Sequence, residues 1–377
     1  MLEYNFFLKK KYIFFALLLI LSASLFSIFF YQYVYDGHHH GLMFSNAVDL
    51  IDLKKPYKEI FIQYGLLTTI IHALSLQIFG KFIFSLHIVT TIFYAFSLFF
   101  IFLIIKKITN EKYALMAIFA VVANHAIPAL PWSNYIAFFF ITLGILFFVY
   151  KNIHSYYLTG FFLGLSVLSR QEYFIPIFFT LIIYGLVNFI FERSMNKTKN
   201  IYKLLLGFLF PLIIFFTYLF YANLIESWSD YLLLPSMYLE NNNSSVILYL
   251  FNFIDFFLSK ALFNFINEPQ YLLILMILFS NTFLLIKLLV VKNLDYLFIV
   301  ILSLTLCSIG ISMELFRLYT SVSLGIIGFI YLIFNLKSVE IKKFLSFLII
   351  STSLFSFFFY PTGNNDNFRT VVITKQI

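Results

Sequence analysis

The chain has 377 residues, of which 62% are hydrophobic and only 11% charged, with a net charge of +8. A mean hydropathy of +0.94 leaves too few polar side chains to cover a water-soluble fold, so soluble enzymes and soluble nucleic-acid binders are excluded as classes. The positive excess is explained by its placement along the chain and calls for no nucleic-acid partner.

Apolar runs of about 20 residues, enough to cross roughly 30 Å of hydrocarbon, recur from end to end. They are continuous and do not alternate, which predicts helices and excludes a porin-like barrel. The first run, Tyr12 to Phe30, follows Lys9, Lys10 and Lys11 and has no small-residue cleavage site, so it reads as a retained first helix. Eleven spans are expected, at about 12–34, 82–105, 113–130, 135–150, 157–169, 173–191, 204–222, 271–290, 295–312, 316–335 and 343–360. The expected fold is an all-α polytopic membrane protein, one transmembrane domain over residues 1–377 with no separate soluble domain.

With the N-terminus in the cytoplasm, the inner segments hold 16 of the 25 Lys and Arg, whereas 12 of the 17 Asp and Glu fall outside. That asymmetry obeys the positive-inside rule and predicts a multi-pass protein of the cytoplasmic (inner) membrane with its carboxylate chemistry on the outer face. The single cysteine, Cys307, lies in an apolar run, which excludes a disulfide and a thiolate metal cluster.

Two outer segments are too long to be turns, 35–81 and 223–270. In the first, "GLMFSNAVDLIDL" sets Ser45, Asn46, Asp49 and Asp52 on one helical stripe and Leu42, Met43, Ala47, Leu50 and Ile51 mainly on the other, the pattern of a helix lying in the membrane interface. Leu66 to Phe79, with His72 and Gln77, spans only half a membrane and is expected to lie flat or slant. The second segment carries Trp228, Tyr231 and Tyr238, suited to an interfacial belt, the loop "NNNSS", and an apolar stretch at 246–263 that is an added span or an interfacial helix.

The candidate chemistry gathers at the outer ends of the spans. Asp36 stands where the chain leaves the bilayer after the first span, a depth at which an ionisable group is costly unless used or paired. His38, His39 and His40 offer imidazoles, yet adjacent positions rarely converge on one ion and no second cluster with ligand spacing appears. Polar contacts to a phosphate or sugar, or simple solvation at the interface, are the alternatives, and no cofactor is expected, a divalent metal being possible but not favoured. Arg170, in "GLSVLSRQEYFIP", supplies a permanently charged planar fork suited to phosphate oxygens, with an ion pair to Glu172 or Asp36 as the structural alternative. Glu314 and Arg317 are spaced for a local salt bridge, and Arg317 is also a candidate for a lipid phosphate. Asn124, His125, Pro128, Pro131, Trp132, Ser133 and Asn134 crowd one outer turn.

"YDGHHHGLMFSNAVDLIDLKKPYKEIFIQYGLL" resembles the first outer loop of the C superfamily of membrane glycosyltransferases (GT-C), in the branch of the protein mannosyltransferases and aminoarabinose transferases. Members of that branch show an acid after the first span, a small-residue helix, a Pro-Tyr turn and a Tyr-Gly-Pro-Leu element. The counterparts here are Asp36, the helix through Ala47, Lys55-Pro56-Tyr57 and Tyr64-Gly65-Leu66, while "GLSVLSR", Gly164 to Arg170, is similar to a Gly-Leu-x-x-Leu-x-Arg stretch of the family. Two features differ: relatives often carry a second acid beside the first, where this chain has Gly37 and histidines, and Leu66 replaces the usual proline.

The resemblance implies a GT-C-like fold and an inverting glycosyltransferase, which moves a sugar from a polyprenyl-phosphate carrier to a saccharide, lipid or protein acceptor on the outer face. Asp36 would be the catalytic base. His38, His39, His40, Asp49, Tyr57, Tyr64, Arg170, Glu172 and Arg317 would bind substrate, with Arg170 and Arg317 toward the phosphate. The alternatives are a transporter or flippase of lipid-linked saccharides, for which mid-membrane ionisable groups and half-repeats would be expected, and a polysaccharide polymerase.

Overall fold

The computed structural model describes residues 2–31, 37–124, 129–151, 154–192, 195–231, 270–291, 296–306 and 315–358, with backbone alone at 2–10, 37–39, 192, 195–198, 270–275, 291, 315–322 and 355–358. Among the described residues the chain is all-helical. The helices are α1 (Leu2–Phe30), α2 (Gly37–Ile51), α3 (Leu66–Phe79), α4 (Ile83–Ile108), α5 (Glu111–Asn124), α6 (Ser133–Tyr150), α7 (Ser155–Ser169), α8 (Phe174–Glu192), α9 (Met195–Tyr221), α10 (Gln270–Val291), α11 (Leu297–Leu306), α12 (Leu315–Phe334) and α13 (Val339–Phe358).

Among the described residues each of the eleven expected spans overlaps a helix, and five stretches are both long and apolar enough to cross a bilayer: Lys11–Phe30, Ile83–Ile108, Ser133–Tyr150, Gln171–Phe191 and Lys199–Tyr221. Five further apolar helices are shorter, among them Leu66–Phe79 and Ser155–Ser169. This is the make-up of a multi-pass membrane protein. Large side chains on α1, α8, α9 and α13, such as Phe14, Phe189, Ile213 and Phe347, stand exposed, an arrangement that lipid tolerates and water does not.

One apolar core joins α1 to α4 through α13. Its tightest seam lies between α7 and α9. Gly160 and Gly164, one turn apart on α7, meet the backbone of Leu204 and Phe208 and the ring of Pro211, while Gly207 on α9 meets the Tyr157 carbonyl. Small residues at helical spacing let two backbones approach where lipid provides no hydrophobic drive, so dispersion contacts hold the pair. Pro211 is accommodated inside α9 against Gly164. A second glycine seam joins α10 to α12, where Asn281 sits in the notch at Gly325 and Gly328 and its amide donates to the Gly325 carbonyl at 2.9 Å.

The segment between α1 and α4 folds back on the bundle. Its helix α2 begins at Gly37, and its inward face holds His40, Met43, Asn46 and Ala47. The stripe expected from the sequence is corrected at one position. Asn46 points inward and its amide donates to the Phe61 carbonyl at 2.6 Å, because the loop lies across α2 and supplies a polar partner there. Met43, Ala47, Ala73, Leu76 and Leu86 tie α2 and α3 to α4, while Tyr57, Ile60, Ile62, Leu66, Leu219 and Leu224 tie the loop to the end of α9. The stretch 246–263, Cys307 and the loop "NNNSS" lie outside the described residues.

The α7–α9 seam yields a contrast within one residue type. Gly160→Ala places a methyl on the Leu204 backbone and should lower stability by about 1–3 kcal/mol. Gly185→Ala meets only Ile201 at ordinary contact distance, 3.7 Å, and should be neutral or gain up to about 1 kcal/mol from helix propensity. Thermal unfolding of the two variants in one detergent measures both.

Candidate functional site

Two polar constellations lie where the first loop meets the bundle. The first is a seam between Tyr64-Gly65-Leu66 and the end of α7. Gly65 rests against the carbonyls of Leu168 and Ser169 so closely that no Cβ fits. Thr68 donates from its hydroxyl to the Ser169 carbonyl at 2.8 Å, and Gln171 donates from its backbone to the Tyr64 carbonyl at 3.4 Å and from its side chain to the Gln63 carbonyl at 3.3 Å. The chain extends at Arg170 and then makes a short 3₁₀ turn, Gln171–Tyr173, which leads into α8.

Arg170 sits at this corner, 4% exposed. Its Nε and Nη2 both donate to Oε2 of Glu172, at 3.1 and 2.6 Å, and its guanidinium lies 5.4 Å from the Tyr64 ring centre and 5.6 Å from that of Tyr173. Burial pulls the guanidinium's pKa down, but the Glu172 carboxylate, Tyr173 and Tyr64 outweigh it and the net shift is upward. The ion pair left open by the sequence is therefore present, and Arg170 is a fixed cation between two aromatic faces. The exposed Glu172 is the solvent-side half of that pair.

Tyr57 organises the other end of the seam. It is buried and holds a left-handed backbone conformation, φ 64°, which is rare for a bulky residue and marks local strain. Its N–H donates to the Ile60 carbonyl at 3.1 Å, closing the turn after Pro56. Its hydroxyl faces the backbone of Leu66 in the first turn of α3, where Gly65, the N-cap, offers no side-chain partner. Burial drives the phenol's pKa far above its ordinary range, the Leu66 backbone opposing it. The ring also packs edge-on to Tyr231 and Phe215.

The second constellation is a set of buried histidines. His40 of α2 and His87 of α4 meet through their Nε2 atoms at 2.8 Å with stacked rings. His87 Nδ1 reaches the Ala129 carbonyl at 3.2 Å, and Tyr31, just beyond α1, lays its ring 5.2 Å from that of His87. Beneath them the Ala129 N–H donates to the Ser27 hydroxyl at 2.7 Å, and Ser27 bonds Thr91 at 3.0 Å. His72 of α3 is wholly enclosed with no partner at either ring nitrogen. Burial, aided by the nearby His87 ring, lowers its pKa to about 3. Among the described residues no group of three or more His, Cys, Asp or Glu is placed to hold a metal ion.

The structure thus joins Tyr57, Tyr64, Arg170 and Glu172 along one seam and turns His40 toward α4. Asp49 faces away from both constellations, paired to Lys54 at 2.7 Å. Asp36 lies outside the described residues, and of His38, His39 and Arg317 the backbone alone is described, the histidines in α2 and the arginine in α12. Glu314, His125 and Pro128 lie outside as well. Asn124, Ser133 and Asn134 are buried, with the Asn124 amide donating to the Ala120 carbonyl at 2.7 Å. Sequence reasoning did not single out His87. Its only local signal was a histidine one turn inside an apolar run, the intramembrane ionisable residue that marks a functional position.

Comparison of the chain with protein-family models and with curated proteins gives no match to either.

Removing the carboxylate of Glu172 leaves a buried guanidinium with a weaker acceptor. Glu172→Gln should cost about 1–3 kcal/mol, seen as a lower Tm. Tyr57→Phe removes only the hydroxyl that faces the Leu66 backbone and should cost about 1 kcal/mol, read as faster amide exchange in the first turn of α3 with the rest of the helix unchanged.

Proposed function

We propose that the protein is an inverting glycosyltransferase of GT-C type, which takes a sugar from a polyprenyl-phosphate carrier and passes it to an acceptor at the outer face of the cytoplasmic membrane. One observation supports this most directly. The two separated segments that carry the family resemblance, Tyr64-Gly65-Leu66 and Gly164 to Arg170, pack backbone to backbone, and the buried cation lies at their junction. A shared corner of that kind is what a donor site assembled from both segments requires.

In the proposed reaction the acceptor hydroxyl attacks the anomeric carbon, its proton goes to the Asp36 carboxylate, and the bond from that carbon to the carrier phosphate breaks, with the electron pair leaving on the phosphate. A fixed cation lowers the barrier by stabilising the charge that develops on the departing phosphate. Arg170 fills this role, with its fork held in place by Glu172. Arg317 is the second cation for the same phosphate. The carrier tail needs an apolar path along the bundle. An open groove of about 380 Å³ between α1 and α4, lined by Leu17, Ile20, Ile92, Ala95, Phe96 and Phe99, suits such a chain.

The test uses the full-length protein in lipid nanodiscs with a panel of polyprenyl-phosphate monosaccharides. Asp36→Asn should fold and bind carrier lipid but lose sugar transfer by about a hundredfold or more, whereas turnover at the wild-type rate would remove Asp36 as the base. Arg170→Ala should weaken carrier binding, and unchanged binding by native mass spectrometry would leave that residue with its structural pairing alone.

A further inference from the structure

We propose that His40, His72 and His87 form a proton-operated latch, which holds the loop helices α2 and α3 on α4 while the rings are neutral and releases them when the rings take up protons. The proposal does not rest on the transferase reading.

The hydrogen bonds fix how many protons the latch tolerates. His87 Nδ1 faces the Ala129 carbonyl at 3.2 Å, and a carbonyl only accepts, so this nitrogen carries the proton and a neutral ring presents a lone pair at Nε2. His40 Nε2, 2.8 Å away, then donates. A chain of two bonds runs from α2 through α4 to the segment that enters α6. One extra proton on the pair still leaves a donor facing an acceptor. A second would set two cationic donors face to face at that separation, which opposes contact.

His72 adds an independent reason. It is wholly buried, neither nitrogen is bonded, and a charge there has no counter-ion. An unpartnered polar group costs stability even when neutral, so a packing role alone would be better filled by leucine. The titratable groups facing the cluster among the described residues are Tyr31, against the His87 ring, and the histidines themselves. The loop carboxylates Asp49 and Asp52 pair with Lys54 and Lys81 at the far end of α2.

The sign follows from burial. At least two rings must stay neutral in the docked state, whereas in the released state each protonates near the ordinary imidazole value of about 6.5. Docking is therefore complete above that pH and weakens as pH falls, by about tenfold per ring for each unit below it.

Hydrogen exchange of the full-length protein in nanodiscs, corrected for intrinsic rates, tests this between about pH 7.5 and about pH 5. Peptides from α2 and α3 should lose protection by about a hundredfold per pH unit well below about 6.5, while α6 keeps its own. In His72→Leu that dependence should become shallower by about tenfold per unit, with protection at neutral pH equal or higher. Wild-type protection that does not change with pH overturns the latch. So does an unchanged slope in a folded His72→Leu protein, or protection of α2 that rises on adding Zn²⁺ at neutral pH, which would make the pair metal ligands. If His72→Leu does not fold, the wild-type profile decides.

Discussion

Gly65 lies directly on the carbonyls of Leu168 and Ser169, and this backbone contact couples the first loop to the helical bundle. Any side chain at that position would push the loop outward. The Thr68 and Gln171 hydrogen bonds and the placement of Tyr64 over Arg170 all depend on the closeness that a missing Cβ allows. The same device recurs one layer below, where Gly160, Gly164 and Gly207 bring α7 against α9. The corner that holds Arg170 is therefore supported from two sides by glycine contacts.

Within lipid, packing of this kind substitutes for hydrophobic burial. Aliphatic side chains gain little by leaving acyl chains for protein, so close dispersion contact and satisfied hydrogen bonds determine which helices stay together. Several of the polar groups that α4, α6 and α7 bury are accordingly short hydroxyls bonded to nearby carbonyls. Thr90 and Thr142 return their hydroxyls to carbonyls of their own helices, and Thr159 reaches the Gly144 carbonyl across the α6–α7 interface. Against that background an arginine held between two tyrosines and three enclosed histidines are the residues with chemistry beyond packing. They sit on the two sides by which the loop is attached, Arg170 at α7 and the histidines at α4.

The two attachments differ in kind. The Arg170 side combines an ion pair, aromatic faces and a backbone seam. The α4 side combines the apolar contacts of Met43, Ala47, Ala73, Leu76 and Leu86 with imidazoles that titrate. The loop thus has one fixed anchor and one conditional anchor, with Tyr57 bracing the turn between them against α9 and the start of α3.

What the sequence by itself determined was the helical, membrane-embedded class and the approximate place of each helix, because hydropathy and span length act on each segment separately. It also showed that Leu66 to Phe79 is a short helix outside the full-length spans, and that Arg170 has a carboxylate two residues away with which to pair. What only the tertiary structure decided were the encounters between distant segments. Asn46 turned inward because Phe61 offered a carbonyl. Tyr57 took a left-handed conformation because the loop had to close onto α3. His40 and His87 met because α2 lies against α4 there, and neither the histidine run at 38–40 nor the single histidine at 87 announces that pairing in the linear chain. A side chain's partner depends on which backbones come near, and no periodicity within a single helix encodes that.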